Sequence, residues 1–160
     1  MHRKYSRVML QRVDSPAFPV LDRGNELLKQ FGLSDWRFEL SREKNTLGRC
    51  EHSDRTISFS QYYLHLPMEE IEDTILHEIA HALVGPKHGH DYVWKAKCRE
   101  IGARPERLAP PEIKTSAKPN YRIECPDCGW HTDRFRMRRR NFGAKCPECH
   151  TEVKIYKYKR

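Results

Sequence analysis

The sequence predicts an α/β (α+β) domain followed by a small, mainly β unit, and three observations support this prediction. Apolar residues recur with helical spacing in separate segments of the first 101 residues. Short runs rich in β-branched and aromatic residues lie between two of these segments and are separated by polar turns. Near the C-terminus, two Cys-x-x-Cys pairs fall in a stretch of about 40 residues, which is too short to fold on an apolar core alone.

The first helix is predicted to begin at residues 15–19, where Ser15 and Pro16 form a typical helix start. Gly32 is expected to end it. The apolar face of this helix consists of Val20, Leu21, Leu27, Leu28 and Phe31.

Three short strands are predicted next, at residues 36–40, 47–50 and 56–59. The polar breaks between them, at residues 41–45 and 51–54, are short. We therefore expect a small antiparallel sheet.

A second helix is predicted after Pro67, which suits the first turn of a helix, and the pair Gly85–Pro86 is expected to stop it. Its apolar stripe consists of Ile71, Ile75, Ile79, Ala82 and Leu83. A third helix is predicted at residues 90–101.

Prolines are frequent after the third helix, which indicates a linker. They are Pro105, Pro110, Pro111 and Pro119. We expect a first domain at residues 1–109, a linker at residues 110–120, and a cysteine-anchored unit at residues 121–160.

The net charge of +8 is concentrated at the C-terminus. Residues 118–160 contain 12 Lys or Arg against 5 Asp or Glu, whereas residues 1–117 contain 18 against 17. A basic tail indicates an anionic partner, most often nucleic acid. The alternative is a solvated surface that only aids solubility.

The chain contains no run of about 18 apolar residues and no apolar stretch after its basic N-terminus. We therefore expect no membrane span and no export signal, and a cytoplasmic protein that is nucleoid-associated if its host is a bacterium or a phage. We favour a monomer.

The second helix carries the pattern H-E-x-x-H at residues 77–81. Side chains four residues apart lie on one face of a helix, so His77 and His81 can bind one zinc ion. Glu78, next to the first histidine, can act as general base on a water that zinc acidifies and then pass the proton to a leaving amine. The pattern therefore predicts a zinc hydrolase.

A catalytic zinc site needs a third protein ligand, and several residues compete for that position. The metzincin extension requires Gly at position 84 and His at position 87, where this chain has Val84 and Lys87, so that subclass is excluded. Glu100 on the next helix, His88 and His90 remain. His90 and Glu100 would lie about 15 Å apart along one helix, so they cannot bind the same ion.

The residues around this motif resemble the SprT-like (Spartan-type) metallopeptidase family over residues 15–105. The resemblance rests on residues 76–83 and 89–94, where His90 is followed four residues later by Trp94. Residues 47–50 and 56–60 resemble the family's strands before the helix. The resemblance implies a zincin-like fold, His90 as the third zinc ligand and His88 as a loop or supporting residue. One departure is Asp91, which stands where Gly is frequent.

The four C-terminal cysteines form two knuckle-like turns. Two such turns can complete a tetrahedral, closed and hence structural zinc site, with iron and disulfides as weaker alternatives. These ligands are Cys125, Cys128, Cys146 and Cys149. A C-terminal zinc ribbon also occurs in bacterial and phage members of the family, so we expect two zinc ions per chain, one catalytic and one structural.

Basic and aromatic residues alternate between the two knuckles, which is typical of a surface that binds phosphates and stacks on bases. They are Arg134, Phe135, Arg136, Arg138, Arg139, Arg140 and Phe142. The same alternation suits a strand hairpin with one charged face, and both readings can hold together.

These observations predict a zinc endopeptidase, with DNA, including single-stranded DNA, as a partner beside the protein substrate. The resemblance implies action on DNA-associated or DNA-crosslinked proteins. Two alternatives remain: a DNA-binding adaptor in which the peptidase-like domain is a scaffold, and a metal-dependent hydrolase that does not cut peptides.

Overall fold

The computed structural model describes residues 16–138 and 141–158, and the chain divides into two units, Met1–Ser116 and Ala117–Arg160. The boundary lies within residues 110–120. Ser15, predicted at the start of the first helix, lies outside the described residues. No helix of the described residues is long and apolar enough to cross a membrane.

Within its described residues, 16–116, the first unit contains three helices and one sheet of three strands. In chain order the elements are α1 (Ala17–Gln30), β1 (Arg37–Ser41), β2 (Gly48–Glu51), β3 (Thr56–Ser60), a 3-10 turn (Gln61–Tyr63), α2 (Met68–Val84) and α3 (Tyr92–Ile101). All three predicted helices and all three predicted strands are therefore confirmed to within a few residues.

Helix α1 buries the face that the sequence predicts, with Val20, Leu27 and Leu28 in the core. Gly32, at φ 73°, follows the end of the helix in the left-handed region that glycine adopts readily. The guanidinium of Arg23 pairs with the carboxylate of Glu72 at 2.6 Å, so an ion pair joins α1 to α2.

Helix α2 begins after Pro67 and carries Glu69 and Glu70 in its first turn, where negative side chains suit the helix dipole. It ends at Gly85, whose φ of 85° would strain any other residue. Its buried residues are Ile71, Ile75, Leu76, Glu78, Ile79 and Ala80. Burial of an ionisable carboxylate among apolar side chains is costly, so Glu78 is a candidate functional residue.

The sheet is mixed, so the expectation of a purely antiparallel sheet was wrong. Its strand order is β1-β3-β2; β2 pairs with β3 antiparallel, but β1 pairs with β3 parallel. The chain does reverse between successive strands. However, β3 lies at the centre of the sheet, where all five of its residues are buried, and its neighbour β1 runs in the same direction.

The second unit contains β4 (Tyr121–Glu124), β5 (His131–Arg134) and β6 (Lys154–Lys157). They form an antiparallel sheet in the order β5-β4-β6. Among residues 117–138 and 141–158, its buried cluster consists of Ile123, Cys125, Cys146 and Val153. Since two of these four residues are cysteines of the predicted metal site, the unit has little apolar core of its own.

Candidate metal centre and active site

Helix α2 presents His77 and His81 on one face, with ring centroids 5.2 Å apart. The three isoleucines of the predicted apolar stripe face the core, whereas Leu83 is exposed. The two histidines are half-buried at the edge of that core. Both imidazoles therefore reach a cleft from a rigid element, which is the arrangement predicted from their spacing.

His90 reaches the same cleft from the loop that follows Gly85. Its Nε2 atom lies 3.2 Å from His77 Nε2 and 3.2 Å from His81 Nε2. Asp91, the residue that departs from the family pattern, is the N-cap of α3: its Oδ1 accepts hydrogen bonds from the backbone N–H groups of Val93 and Trp94. The cap fixes the chain directly after His90.

Trp94 forms the floor beneath the three imidazoles and is fully buried. Its ring centroid lies 4.6 Å from that of His77, 5.1 Å from that of His81 and 4.6 Å from that of His90. An aromatic residue four positions after His90 thus packs against every ring of the cluster, and its packing limits the rotation of each imidazole.

The three imidazoles fit a zinc ion by spacing and by protonation state. Nitrogen ligands of a tetrahedral zinc at about 2.0–2.1 Å lie about 3.3–3.4 Å from one another, close to the separations seen here. Burial, with the neighbouring histidines, lowers the pKa of His77 to about 4 and that of His81 to about 4. Burial also lowers the pKa of His90. Neutral imidazoles with free lone pairs are the form that binds metal.

A hydrogen bond holds the ring of His81 to the backbone of His88. Partners of this kind set the orientation of a metal-binding imidazole. The side chain of His88 contacts Asp91, with Nδ1 and Oδ2 2.8 Å apart. His88 is therefore placed as a loop residue that supports the cluster, as the family resemblance implies.

Glu78 is only 9% exposed and lies between α2 and β2. The backbone of Cys50 hydrogen-bonds to its carboxylate. Burial raises the pKa of Glu78 to about 7, although Arg49 and the Cys50 hydrogen bond act to lower it. A carboxylate whose pKa lies near neutrality can both accept and release a proton.

Glu100, the alternative third ligand, is exposed on α3, where its carboxylate lies 2.7 Å from the ammonium of Lys97. It is absent from the groups of clustered metal-binding side chains found in residues 16–138 and 141–158. The structure therefore brings His90, and not Glu100, to His77 and His81.

The four cysteines form a second cluster, with all their sulfur atoms within 4.8 Å of one another. The Sγ atoms of Cys125 and Cys149 are 3.4 Å apart, and those of Cys128 and Cys146 are 3.5 Å apart. These separations far exceed a disulfide bond of about 2.05 Å. They suit thiolates around one zinc ion.

Each cysteine knuckle is closed by the same backbone bonds. The N–H of Cys125 donates to the carbonyl of Trp130, and the N–H of Cys146 donates to that of Thr151. Hydrogen bonds from the backbone and side chain of Thr151 lower the pKa of Cys149 to about 6. The hydrogen bond from the Trp130 backbone acts to lower the pKa of Cys128, but desolvation and hydrogen bonds from the neighbouring cysteines outweigh it, so that pKa is raised instead. A thiol with a lowered pKa readily supplies the thiolate that a metal requires.

The residues predicted to contact nucleic acid lie only partly within the described part of the chain. Arg134, Arg136 and Arg138 are exposed, and Phe142 is 68% exposed. Phe135 is half-buried, and its carbonyl accepts a hydrogen bond from Asn120 at 2.6 Å. Arg139 and Arg140 lie outside the described residues.

Sequence reasoning missed several residues that line the cleft. Arg49, Cys50 and His52 come from β2 and its turn, and Arg107 comes from the proline-rich segment after α3. His52 lies 3.7 Å from Cys50 Sγ. Nothing in their spacing points to the cleft, because its walls come from segments far from α2 in the chain.

A comparison with protein families identifies the family of this chain. The sequence profile of the SprT-like family matches residues 19–116, more than half of the 160-residue chain. Among solved structures, the chain is similar to the metallopeptidase zymogen jannalysin of Methanocaldococcus jannaschii, with 20% identity and a TM-score of 0.44 over 51% of this chain and 79% of that chain. A comparison with curated proteins finds no match. The extent of the profile match shows that the chain belongs to the SprT-like family.

Proposed function

We propose that this protein is a zinc-dependent endopeptidase that acts on DNA-associated or DNA-crosslinked proteins. The observation that carries the peptidase function is a buried carboxylate placed next to three converging imidazoles. Glu78 follows His77 on α2, and the Nε2 atoms of His77 and His81 each lie 3.2 Å from that of His90. Family membership supports the same chemistry.

His77, His81 and His90 would hold a zinc ion, which would supply the Lewis acidity that polarises a scissile carbonyl and acidifies water. Glu78 accepts the proton of the attacking water on its carboxylate and delivers it to the leaving amide nitrogen. The backbone of Cys50 orients that carboxylate. Because burial raises the pKa of Glu78 to about 7, its carboxylate can take up a proton and release it again near neutral pH. Trp94 keeps the three imidazoles in place.

The proposed preference for DNA-bound proteins rests on the second unit. Its residues 118–160 carry 12 Lys or Arg and 5 Asp or Glu. Exposed aromatic side chains lie among these charges: Phe142 is 68% exposed and Tyr156 is 50% exposed. Positive charge with exposed aromatic faces suits a single strand of DNA, whose phosphates attract the cations and whose bases stack on the rings.

Incubation of DNA-binding proteins with wild-type protein and with Glu78→Gln, with and without DNA, tests the peptidase function. Wild type is expected to cleave, and Glu78→Gln to lose cleavage by a factor of about 10² or more while keeping its zinc. Glu69→Gln, on the same helix and exposed, is the matched control and should cleave normally. Cleavage that persists in Glu78→Gln would contradict the mechanism.

The DNA preference is tested by fluorescence anisotropy with labelled single-stranded and double-stranded DNA over a range of salt. Binding should weaken as salt rises, and the variant Arg136→Ala/Arg138→Ala/Phe142→Ala should bind less tightly than wild type. Equal binding by this variant would contradict the proposed surface. DNA binding by a wild type that cleaves no protein or peptide would instead favour the adaptor, whereas hydrolysis of other substrates alone would favour a different hydrolase.

A further inference from the structure

A groove of about 810 Å³ continues from the cleft that contains the imidazole cluster. Gly48, His77 and Glu78 line both the cleft and the groove. A peptide held with its scissile bond against Glu78 would therefore extend directly into the groove. The volume lies within the range of about 300–1,000 Å³ that is typical of ligand sites in proteins.

The walls of the groove are mainly apolar. One wall is formed by residues 45–48 and the other by the segment 104–113, which follows α3. Leu108 is 77% exposed, so its apolar side chain is accessible to an occupant of the groove. The apolar lining residues are Leu47, Leu108, Ala109, Pro110, Pro111 and Ile113.

The wall formed by residues 104–113 is held in place at both ends. The backbone N–H and the guanidinium of Arg104 each donate to the carboxylate of Asp73 at 2.8 Å, and the guanidinium also bonds to Glu70. Beyond the wall, the N–H and hydroxyl of Ser116 donate to the carbonyl of Tyr62 at 2.9 and 2.7 Å. Since prolines also restrict the segment, the groove is formed before a substrate binds.

The charged groups of the groove do not favour a charged occupant. Asp73 is paired with Arg104, and the remaining charges of the wall, Glu106 and Arg107, have opposite signs. The charges of these four residues sum to zero, so the groove selects neither sign of charge, and a charged side chain would lose water there without a preferred partner. An apolar side chain would instead remove apolar surface from water on both walls.

We infer that this groove is a specificity pocket, which accepts a large apolar side chain of the substrate next to the scissile bond. Leu, Ile, Met and Phe are the residues that such a pocket selects. This inference rests on the proposed peptidase function and names the substrate feature that the same site recognises.

A peptide library with every residue type at each position tests the inference, with cleavage sites identified by mass spectrometry. Wild type should cleave at sites with a large apolar residue at one fixed position beside the scissile bond, at least about tenfold faster than at sites with Asp or Gly there. No cleavage of any peptide would overturn the proposed function together with this inference. Cleavage without an apolar preference would overturn the inference alone and leave the peptidase function intact.

Substitutions in the wall supply the second test. Ala109→Trp should fill the groove, and Leu108→Asp should place an unpaired charge in it; both residues are exposed, so the fold should tolerate either change. Each variant should lose the apolar preference at least about tenfold while peptides with Ala at that position are still cleaved. Phe18→Asp is the matched control, since Phe18 is an exposed apolar residue of α1 outside the groove.

Binding gives a readout that does not depend on turnover. In the Glu78→Gln background, a fluorescent peptide with Leu at the selected position should bind at least about tenfold more tightly than its Asp counterpart. Ala109→Trp should abolish that difference, whereas Phe18→Asp should preserve it. Equal binding of the two peptides to Glu78→Gln, or an unchanged difference in Ala109→Trp, would overturn the specificity pocket.

Discussion

Gly48 lies so close to the side chain of Glu78, the proposed base, that residue 48 has no room for a Cβ atom. A Cβ atom there would come within 2.8 Å of Glu78 Cγ and within 3.0 Å of Thr74 Cγ2. Both contacts are too short for carbon atoms, and Glu78 is buried between α2 and β2 with little room to move. The glycine is therefore required by the close approach of strand and helix.

Gly48→Ala should displace the Glu78 carboxylate and lower kcat by roughly 10²-fold, because a shift of about 1 Å in a reacting group can cost that much. The zinc content should stay unchanged, since the three atoms nearest to the new methyl group belong to Glu78 and Thr74 and not to the imidazoles. Steady-state kinetics with metal analysis check this expectation. Gly89→Ala is the control, because a Cβ at position 89 meets no atom within 4 Å. A wild-type kcat for Gly48→Ala would show that Glu78 tolerates displacement.

At the scale of the elements, Asp91, the N-cap of α3, also fixes the chain next to His90, the third imidazole of the cluster. Asp91 Oδ1 accepts from two backbone N–H groups at the start of α3, and its Oδ2 contacts His88. His90 precedes this cap and Trp94 follows it within one turn of helix. The stability of α3 and the position of His90 should therefore change together.

Asp91→Ala should destabilise the protein through the lost cap, which lowers the urea midpoint of unfolding. It should also release zinc more readily to a chelator, since His90 loses its fixed neighbour. Asp91→Asn should preserve most of both properties, because Asn caps helices about as well as Asp. Urea unfolding and competition with a chromogenic chelator measure the two effects. A destabilised Asp91→Ala with wild-type zinc retention would separate the cap from the metal site.

The ion pair between α1 and α2 predicts a pH-dependent stability. The hydrogen bond from Arg23 lowers the pKa of Glu72 in the folded protein. A lowered folded-state pKa stabilises the protein above the unfolded value of about 4.3, and this stabilisation is lost as the pH falls through the folded-state pKa. Each side chain is about one-third exposed, so the contribution is at most about 1 kcal/mol.

Glu72→Gln should accordingly unfold at a lower urea concentration than wild type at pH 7, and the difference should shrink towards zero in acid. Glu26→Gln is the control, because Glu26 forms a more exposed pair with the same arginine. A difference that stays constant with pH would mean that Glu72 acts through packing instead of charge.

The elements differ in how far the sequence could predict them. The histidine pair on α2 follows from helical geometry alone, since residues four apart share a face. His90 required a family resemblance, because its position depends on the loop after Gly85 and on the cap at Asp91. Spacing alone did not exclude Glu100 as the third zinc ligand.

The strand order and the groove wall could not be predicted, because both depend on contacts between distant residues. β3 lies at the centre of the sheet, where all five of its residues are buried. The prolines of residues 104–113 indicated a linker, yet Arg104 binds Glu70 and Asp73 on α2 and so holds this segment beside the cleft. Local composition carries no information about such ion pairs.

At the scale of the whole molecule, the two units differ in what stabilises them. The first has a buried cluster that combines residues of three helices and a sheet, including Phe59, Ile75 and Trp94. The buried cluster of the second has four residues in the part of the chain that the structure describes, and two of them are the cysteines Cys125 and Cys146. A metal is thus expected to replace the missing core of the second unit, whereas the first unit should fold on its own apolar contacts.

Replacement of Cys146 and Cys149 by Ser should therefore reduce the zinc content from about two ions per chain to about one, which is measurable by inductively coupled plasma mass spectrometry. Amide signals of residues 117–160 should lose their dispersion in NMR spectra while those of the first unit persist, because only the second unit is expected to need bound zinc in order to fold. Cleavage of free peptides should survive, and binding of single-stranded DNA should fall, since the basic and aromatic residues lose their common scaffold. Cys98→Ser, which changes a buried thiol of α3, is the control and should keep both ions. Retention of two zinc ions by the double variant would show that these cysteines are not ligands, and collapse of both units would show that the first unit also depends on the ribbon.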